Sequence, residues 1–283
     1  MDLAHWRRTR DGVLIPPILY GTAWKKADTA RLVSRALAAG FCGIDTACQP
    51  KHYHEPGVGQ GIAAAPRAAD SPPLYVQTKF TPPSGQDPAN VPYAPNAPIE
   101  AQVVASFSVS CANLAPARPD ALILHSPLPT ADDTLRAWRA MEQLHRQGAV
   151  RLLGISNCDD LTLLQHLEAQ ADIKPSIVQN RFYAKSGYDV ALRAWCDTRG
   201  IIYESFWTLT ANTHALGALA LGRIASRHGC EPAQVLLRHV TQLGIVPLTG
   251  TSDDEHMRDD LAIFGFTLDG TEMQAVTHAL RAG

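Results

Sequence analysis

ALILH, residues 121–125, is a run of four apolar residues that ends on a histidine, and it reads as a buried strand with one polar residue at its tip. The same arrangement recurs in IDTA at Asp45, VQTKF at Lys79, GISN at Ser156–Asn157 and IVQN at Gln179–Asn180. In a barrel of parallel strands with helices outside, all strand ends face one mouth, so polar residues far apart in the chain converge there. An acid, a lysine, a histidine and amides gathered in one pocket point to proton chemistry.

Around these five runs, strand and helix signals alternate. Asp11-Gly12 is a turn between short extended pieces and predicts a β-hairpin that closes the barrel bottom before a first strand at 18–22. Further strands are expected at 43–46, 74–79, 121–125, 150–155, 176–180, 201–206 and 244–248, giving eight. Helical periodicity covers 27–39, with Gly40 as a stop signal, and 99–114, 131–146, 161–168, 190–198 and 232–242. The expectation is an α/β fold, a single (β/α)8 TIM barrel spanning 1–283. A proline-rich stretch at 81–98 follows Lys79 directly. It reads as a long strand-to-helix loop, either a wall of the site or a spacer.

The 283 residues are 46% apolar and 18% charged with a formal charge of −2, an ordinary globular composition. No basic excess favours nucleic acid or an anionic membrane surface. No apolar signal core opens the sequence, and no run approaches the ~18 residues needed to span a bilayer, so a cytoplasmic protein is expected. Six cysteines form no CxxC pair and read as reduced thiols, with Cys48 nearest the expected mouth.

Reducing a carbonyl needs a hydride on carbon and a proton on oxygen, and the proton donor must be a positioned group with a suitable pKa. Tyr53 is the candidate. A phenol titrates at about 10, and a neighbouring ammonium lowers that value; Lys79 could supply the charge, with Asp45 holding Lys79. His125 could then donate a hydrogen bond to the carbonyl oxygen as charge builds there. Each residue alone is a weak signal, and the strength lies in the set.

The sequence resembles the aldo-keto reductase family nearly end to end, through DGVLIPPILYGTAW, GFCGIDTA, HYHEPGVGQGI, YVQTKF, ALILHSPLP, GAVRLLGISN, SIVQNRFY, SFWTL and HMRDDLAIFGF in family order. The resemblance implies a catalytic tetrad of Asp45, Tyr53, Lys79 and His125, with Tyr53 as general acid. It also implies that Ser156, Asn157 and Gln179 hold a nicotinamide carboxamide while Phe206 stacks on the ring. Gly21, Thr22, Asp45, Trp207, Leu209, Thr249, Thr251 and Arg258 are the other expected cofactor contacts. Trp24, Phe80, Pro127, Leu128 and Trp207 are the expected pocket walls. NADP(H) is the favoured cofactor with NAD(H) as the alternative, the substrate is a small carbonyl compound, no metal is expected, and the protein is expected to be a monomer or weak homodimer.

Two departures stand out. The family usually places the tyrosine five residues after the aspartate, whereas Tyr53 lies eight after Asp45, in a longer loop like that of a fungal-type branch. The lysine usually facing the adenosine 2′-phosphate is Leu248 or Thr249 here, which leaves Arg258 to meet that phosphate. Two other classes are carried forward. His52, His54 and Glu55 have spacing compatible with a metal-dependent hydrolase, and the altered loop is compatible with a cofactor-binding regulatory or structural subunit of negligible turnover. The GVGQG run at 57–61 misses the dinucleotide fingerprint and reads as the start of a helix.

Overall fold

The computed structural model describes residues 3–65 and 71–282. Strands β1 (Arg7–Arg8) and β2 (Leu14–Ile15) form an antiparallel pair around Asp11-Gly12, where Gly12 takes a φ of +81° that glycine tolerates without strain. The hairpin delivers Ile15 into the barrel interior, so it plugs the bottom as the turn signal implied.

Eight parallel strands then close on themselves: β3 (Leu19–Gly21), β4 (Gly43–Asp45), β5 (Tyr75–Phe80), β6 (Ala121–Leu124), β7 (Leu152–Ser156), β8 (Ile177–Arg181), β9 (Ile202–Phe206) and β10 (Val246–Thr249), with β10 pairing back to β3. Around them run α1 (Thr29–Ala39), α2 (Glu55–Ala64), α3 (Ile99–Leu114), α4 (Ala131–Arg146), α5 (Leu161–Gln170), α6 (Val190–Asp197), the short α7 (Thr213–Leu216), α8 (Leu219–His228), α9 (Pro232–Gln242), α10 (Asp254–Ala262) and α11 (Gly270–Arg281). Every expected strand is present within one or two residues. Helix α11 was not anticipated, although Asp269 and Glu272 form a reciprocal capping box at its start, a signal the sequence carried.

Side chains alternate across each strand, which decides what faces the barrel interior. Leu19, Tyr75, Ala121, Ile123, Leu152, Ile177, Ile202 and Val246 fill its lower layers. The intervening residues point outward against the helices, around Phe107, Trp138 and Met141. Trp138 is fully buried and donates its indole N–H to the Ile173 carbonyl at 2.9 Å, so truncating it to alanine would cost about 3–5 kcal/mol. Toward the strands' C-terminal ends the inward positions turn polar, and Asp45, Gln77, Lys79, Gln179 and Glu204 are all buried there.

Candidate active site

Lys79 Nζ donates to Asp45 Oδ1 at 2.6 Å and to the Thr46 carbonyl at 2.9 Å, and it lies 5.3 Å from the Tyr53 ring centroid. Burial pulls the ammonium toward its neutral form. The Asp45 carboxylate, Tyr53 and the hydrogen bond to Asp45 more than offset this, leaving Lys79 above its ordinary value and charged. Tyr53 is half-buried, and its hydroxyl hydrogen-bonds with Lys79. Burial raises the phenol more than Lys79 lowers it, so Tyr53 sits above its usual value rather than near neutrality as the sequence reading expected. The correction has a simple cause: the Asp45 carboxylate beside Lys79 cancels much of its pull on the phenol.

Two loops bring Tyr53 to this place. The amides of His52 and Tyr53 both donate to the Gln49 carbonyl, winding the extra residues into a turn. Gln49 then donates to the Gly85 carbonyl, and Gln86 donates to the carbonyls of Cys48 and Thr81. The proline-rich stretch is therefore a buttress for the Tyr53 loop. Cys48 is buried behind it, its thiol pushed up to about 12 by burial and the nearby Glu55, so it is protonated and inert.

His125 lies edge-on to Tyr53, with ring centroids 5.9 Å apart. Its Nδ1 is 2.6 Å from the Thr81 hydroxyl. That hydroxyl has no other acceptor among the described residues, so it donates to Nδ1 and leaves Nε2 carrying the ring proton. Burial, then the charges of Lys79 and His52, hold the imidazole well below its usual value, so it is a neutral donor.

Beneath these groups lies a network that links two carboxylates through two amides. The Nε2 atoms of Gln77 and Gln179 donate to Asp45 Oδ1 at 2.8 and 3.0 Å, and to Glu204 Oε2 at 2.7 and 2.8 Å. Only an NH2 group can face two carboxylates, so both amide orientations are fixed by chemistry. Glu204 Oε1 is buried without a partner, and burial, opposed by the two glutamine hydrogen bonds, pushes its pKa up to about 7. Gln179 retains only its Oε1 as an acceptor. Asn157 is similarly fixed, donating Nδ2 to the His125 carbonyl at 2.8 Å and to Ser156 Oγ at 3.2 Å. The floor thus presents a Ser156 hydroxyl donor beside the Asn157 and Gln179 oxygen acceptors, the complement of a primary carboxamide.

A cleft of about 1000 Å³ runs from Tyr53, His125 and Gln179 past Phe206 and Trp207 to Thr251 and His256. The chain matches the aldo/keto reductase family over residues 18–281. It is a member of that family. It is similar to 2,5-diketo-D-gluconic acid reductase B of a Corynebacterium strain, at 28% identity over 86% of this chain and 80% of that protein. It is also 28% identical to the NAD/NADP-dependent indole-3-acetaldehyde reductase of Schizosaccharomyces pombe, over 92% and 89% of the two chains. An aldo/keto reductase crystal structure from Brucella melitensis superposes with a TM-score of 0.82 at 26% identity, covering 97% of each chain.

Gly21, Asp45, Tyr53, His125, Ser156, Asn157, Gln179, Phe206, Trp207, Leu209, Thr249, Thr251 and Trp24 of this aldo/keto reductase all line the cleft as expected. Phe80 does not. It follows the inward Lys79 by one residue, so the pleat turns it outward onto Tyr93, where it is buried. Leu128 is drawn away because its amide is held by the Thr134 hydroxyl of α4, and neither it nor Pro127 lines the cleft. Thr22 uses both its amide and its hydroxyl on the Asp45 carbonyl and is fully buried. Arg258 is exposed on α10 outside the cleft lining. Asp254, its sequence neighbour one turn back, is paired with Arg35, so Arg258 has no ion-pair partner among the described residues.

The metal reading loses its geometry. Glu55 is buried against Thr78, Ser110 and Asn113, while His52 stacks on Trp24 with centroids 3.9 Å apart. Among the described residues no cluster of histidine, cysteine and carboxylate groups has the arrangement of a metal site. Nor is any described helix long and apolar enough to cross a membrane. The sequence reading missed Gln77, Glu204, Arg181 and Lys25. A polar residue inside the apolar runs VQTKF and IIYESF was the available signal for the first two.

Proposed function

We propose that this protein reversibly reduces an aldehyde or ketone to the alcohol, with NADP(H) as the favoured cofactor and NAD(H) as the alternative. The observation that carries this reading is Lys79 Nζ held between Asp45 and Tyr53, with the Nε2 proton of neutral His125 beside the phenol. When bound, a nicotinamide dinucleotide supplies the hydride. The floor fits it, since Ser156 can donate to the carboxamide oxygen while Gln179 Oε1 and Asn157 Oδ1 accept from its NH2, and Phe206 offers a ring face.

His125 orients the substrate carbonyl through Nε2–H, and Tyr53 gives its proton to the oxygen as charge develops there. Lys79 then stabilises the phenolate, which solvent reprotonates. Asp45 is a positioning residue that keeps Lys79 in place and charged. Cofactor choice rests on the far end of the cleft, where Lys25 reaches the Gly250 carbonyl and Arg258 stands unpaired, against Glu231, Asp259 and Asp260. NADPH and NADP occupy solved structures of the same fold, a reductase named Gox0644 and a Bombyx mori aldo-keto reductase. As one barrel unit, monomeric or weakly dimeric and cytosolic, the protein would act on small carbonyl compounds that fit between Trp24 and Trp207.

The test is cofactor oxidation, followed at its near-ultraviolet absorbance, with NADPH and NADH against aromatic aldehydes, dicarbonyls and oxo acids. Turnover is expected with at least one class. Tight cofactor binding without turnover of any would favour the regulatory-subunit reading instead.

A further inference from the structure

Arg181 ends β8 two residues beyond Gln179, so the alternation of the strand turns its side chain inward at the mouth, where it lines the cleft. Its guanidinium lies 4.0 Å from the Trp207 ring centroid, 5.3 Å from that of Tyr183 and 5.8 Å from that of Phe206. No hydrogen bond or ion pair engages it among the described residues, and its Nε is buried with no partner. Other arginines of the chain behave differently: Arg31, Arg136, Arg146, Arg151 and Arg227 each hold a carboxylate within 3.4 Å.

A guanidinium has five N–H donors in one plane. Stacking on an aromatic face fixes that plane and uses none of them, leaving an edge matched to the two oxygens of a carboxylate. The remaining charges of the floor are already balanced. Lys79 is paired with Asp45, and His125 is neutral. Arg181 is therefore an uncompensated positive charge, with an unpartnered buried donor, beside the place where the carbonyl would sit.

We propose that Arg181 binds a carboxylate borne by the carbonyl substrate, so that oxo acids are the preferred substrate class. The proposal rests on the carbonyl-reduction reading above. The competing anion is the cofactor's own diphosphate. Register pairs Arg181 with Phe206, and β8 is separated from β10 by β9, about 10 Å at ordinary strand spacing. The far end of the cleft is built from the β10 side, by Leu248–Thr251, and from the start of α9. Arg181 thus stands on the opposite side of Phe206 from the cofactor's expected path.

The experiment compares oxo acids of increasing length, 2-oxopropanoate, 4-oxopentanoate and 4-formylbenzoate, with their methyl esters, in wild type, Arg181→Gln and Arg181→Lys. Wild type is expected to favour the acid in kcat/KM by ten-fold or more for at least one length, mostly through KM. Arg181→Gln should collapse that acid-to-ester ratio toward one, and Arg181→Lys should restore part of it, since an ammonium keeps the charge and loses the fork. Equal use of acid and ester by wild type, or equal loss of both in Arg181→Gln, overturns the proposal. Calorimetric titration of NADPH separates the sources: weakening of the cofactor Kd by Arg181→Gln, with the acid-to-ester ratio intact, would assign the guanidinium to the diphosphate. Reduction of the esters checks the underlying activity independently, and an enzyme that reduces neither acids nor esters nor simple aldehydes removes both readings.

Discussion

At the floor of the cleft nearly every polar atom has a partner within the protein, whereas at the end lined by Glu231, Thr251, His256 and Asp259 charged groups face solvent. The floor is supplied by strand ends whose side chains are fixed by the pleat and by one another. The far end is supplied by a loop and two helix starts. Charges at the floor act in a dry setting, where a single proton or partner changes the energy by several kcal/mol, and those at the far end are screened. Chemistry should therefore be sensitive to small changes at the floor, and cofactor choice should shift in smaller, more separable steps at the rim.

The largest effect is expected at Tyr53. Replacing it with phenylalanine keeps the ring and removes the phenolic proton, so kcat should fall by about 10³-fold, or ~4 kcal/mol, while the Kd for NADPH stays within a few fold. Single-turnover kinetics and calorimetry measure the two quantities separately. Turnover within a few fold of wild type would place the acid elsewhere and dissolve the contrast at its centre.

Glu204 tests how dry the floor is. Its folded pKa of about 7 lies above the ordinary 4.5, so the wild type keeps its full stability below about pH 4.5 and loses it as pH rises through 7. The difference is worth about 3 kcal/mol. Glu204→Gln cannot ionise, so its melting temperature should gain several degrees on wild type at pH 8 relative to the comparison at pH 5. A difference in Tm that ignores pH would mean that Glu204 keeps its charge at little cost and the floor is wetter than it looks.

The smallest effect belongs to the rim. Arg258 is exposed and unpaired, so it is available to a 2′-phosphate even though it does not line the cleft. Arg258→Ala should reduce the NADPH-over-NADH ratio of kcat/KM by about ten-fold, ~1.4 kcal/mol, with little change in kcat. Added salt should shrink the difference. A ratio indifferent to the substitution would move phosphate recognition to Lys25, which already reaches Gly250.

Much of this was readable along the chain. Runs such as ALILH and GISN carry their own strand signal, and Asp11-Gly12 its own turn, because periodicity and turn chemistry depend only on neighbouring residues. Once the barrel was inferred, strand-end polar residues had to meet at one mouth, which placed Asp45, Lys79, His125, Ser156 and Gln179 together. The same pleat rule, applied one residue further, would have excluded Phe80 as a wall. What could not be read was which polar groups satisfy one another.

The sequence by itself determined the barrel, the mouth and the residues gathered there, since each follows from a local pattern repeated strand by strand. Only the tertiary structure decided that Gln77 and Glu204, 127 positions apart, share the floor with Asp45, that Gln86 braces the Tyr53 loop, and that Arg181 is left with its donors free. The physical reason is closure. Bending eight strands into a ring sets distant side chains within 3 Å of one another, and the partners available there, absent from any local pattern, fix each group's charge and orientation.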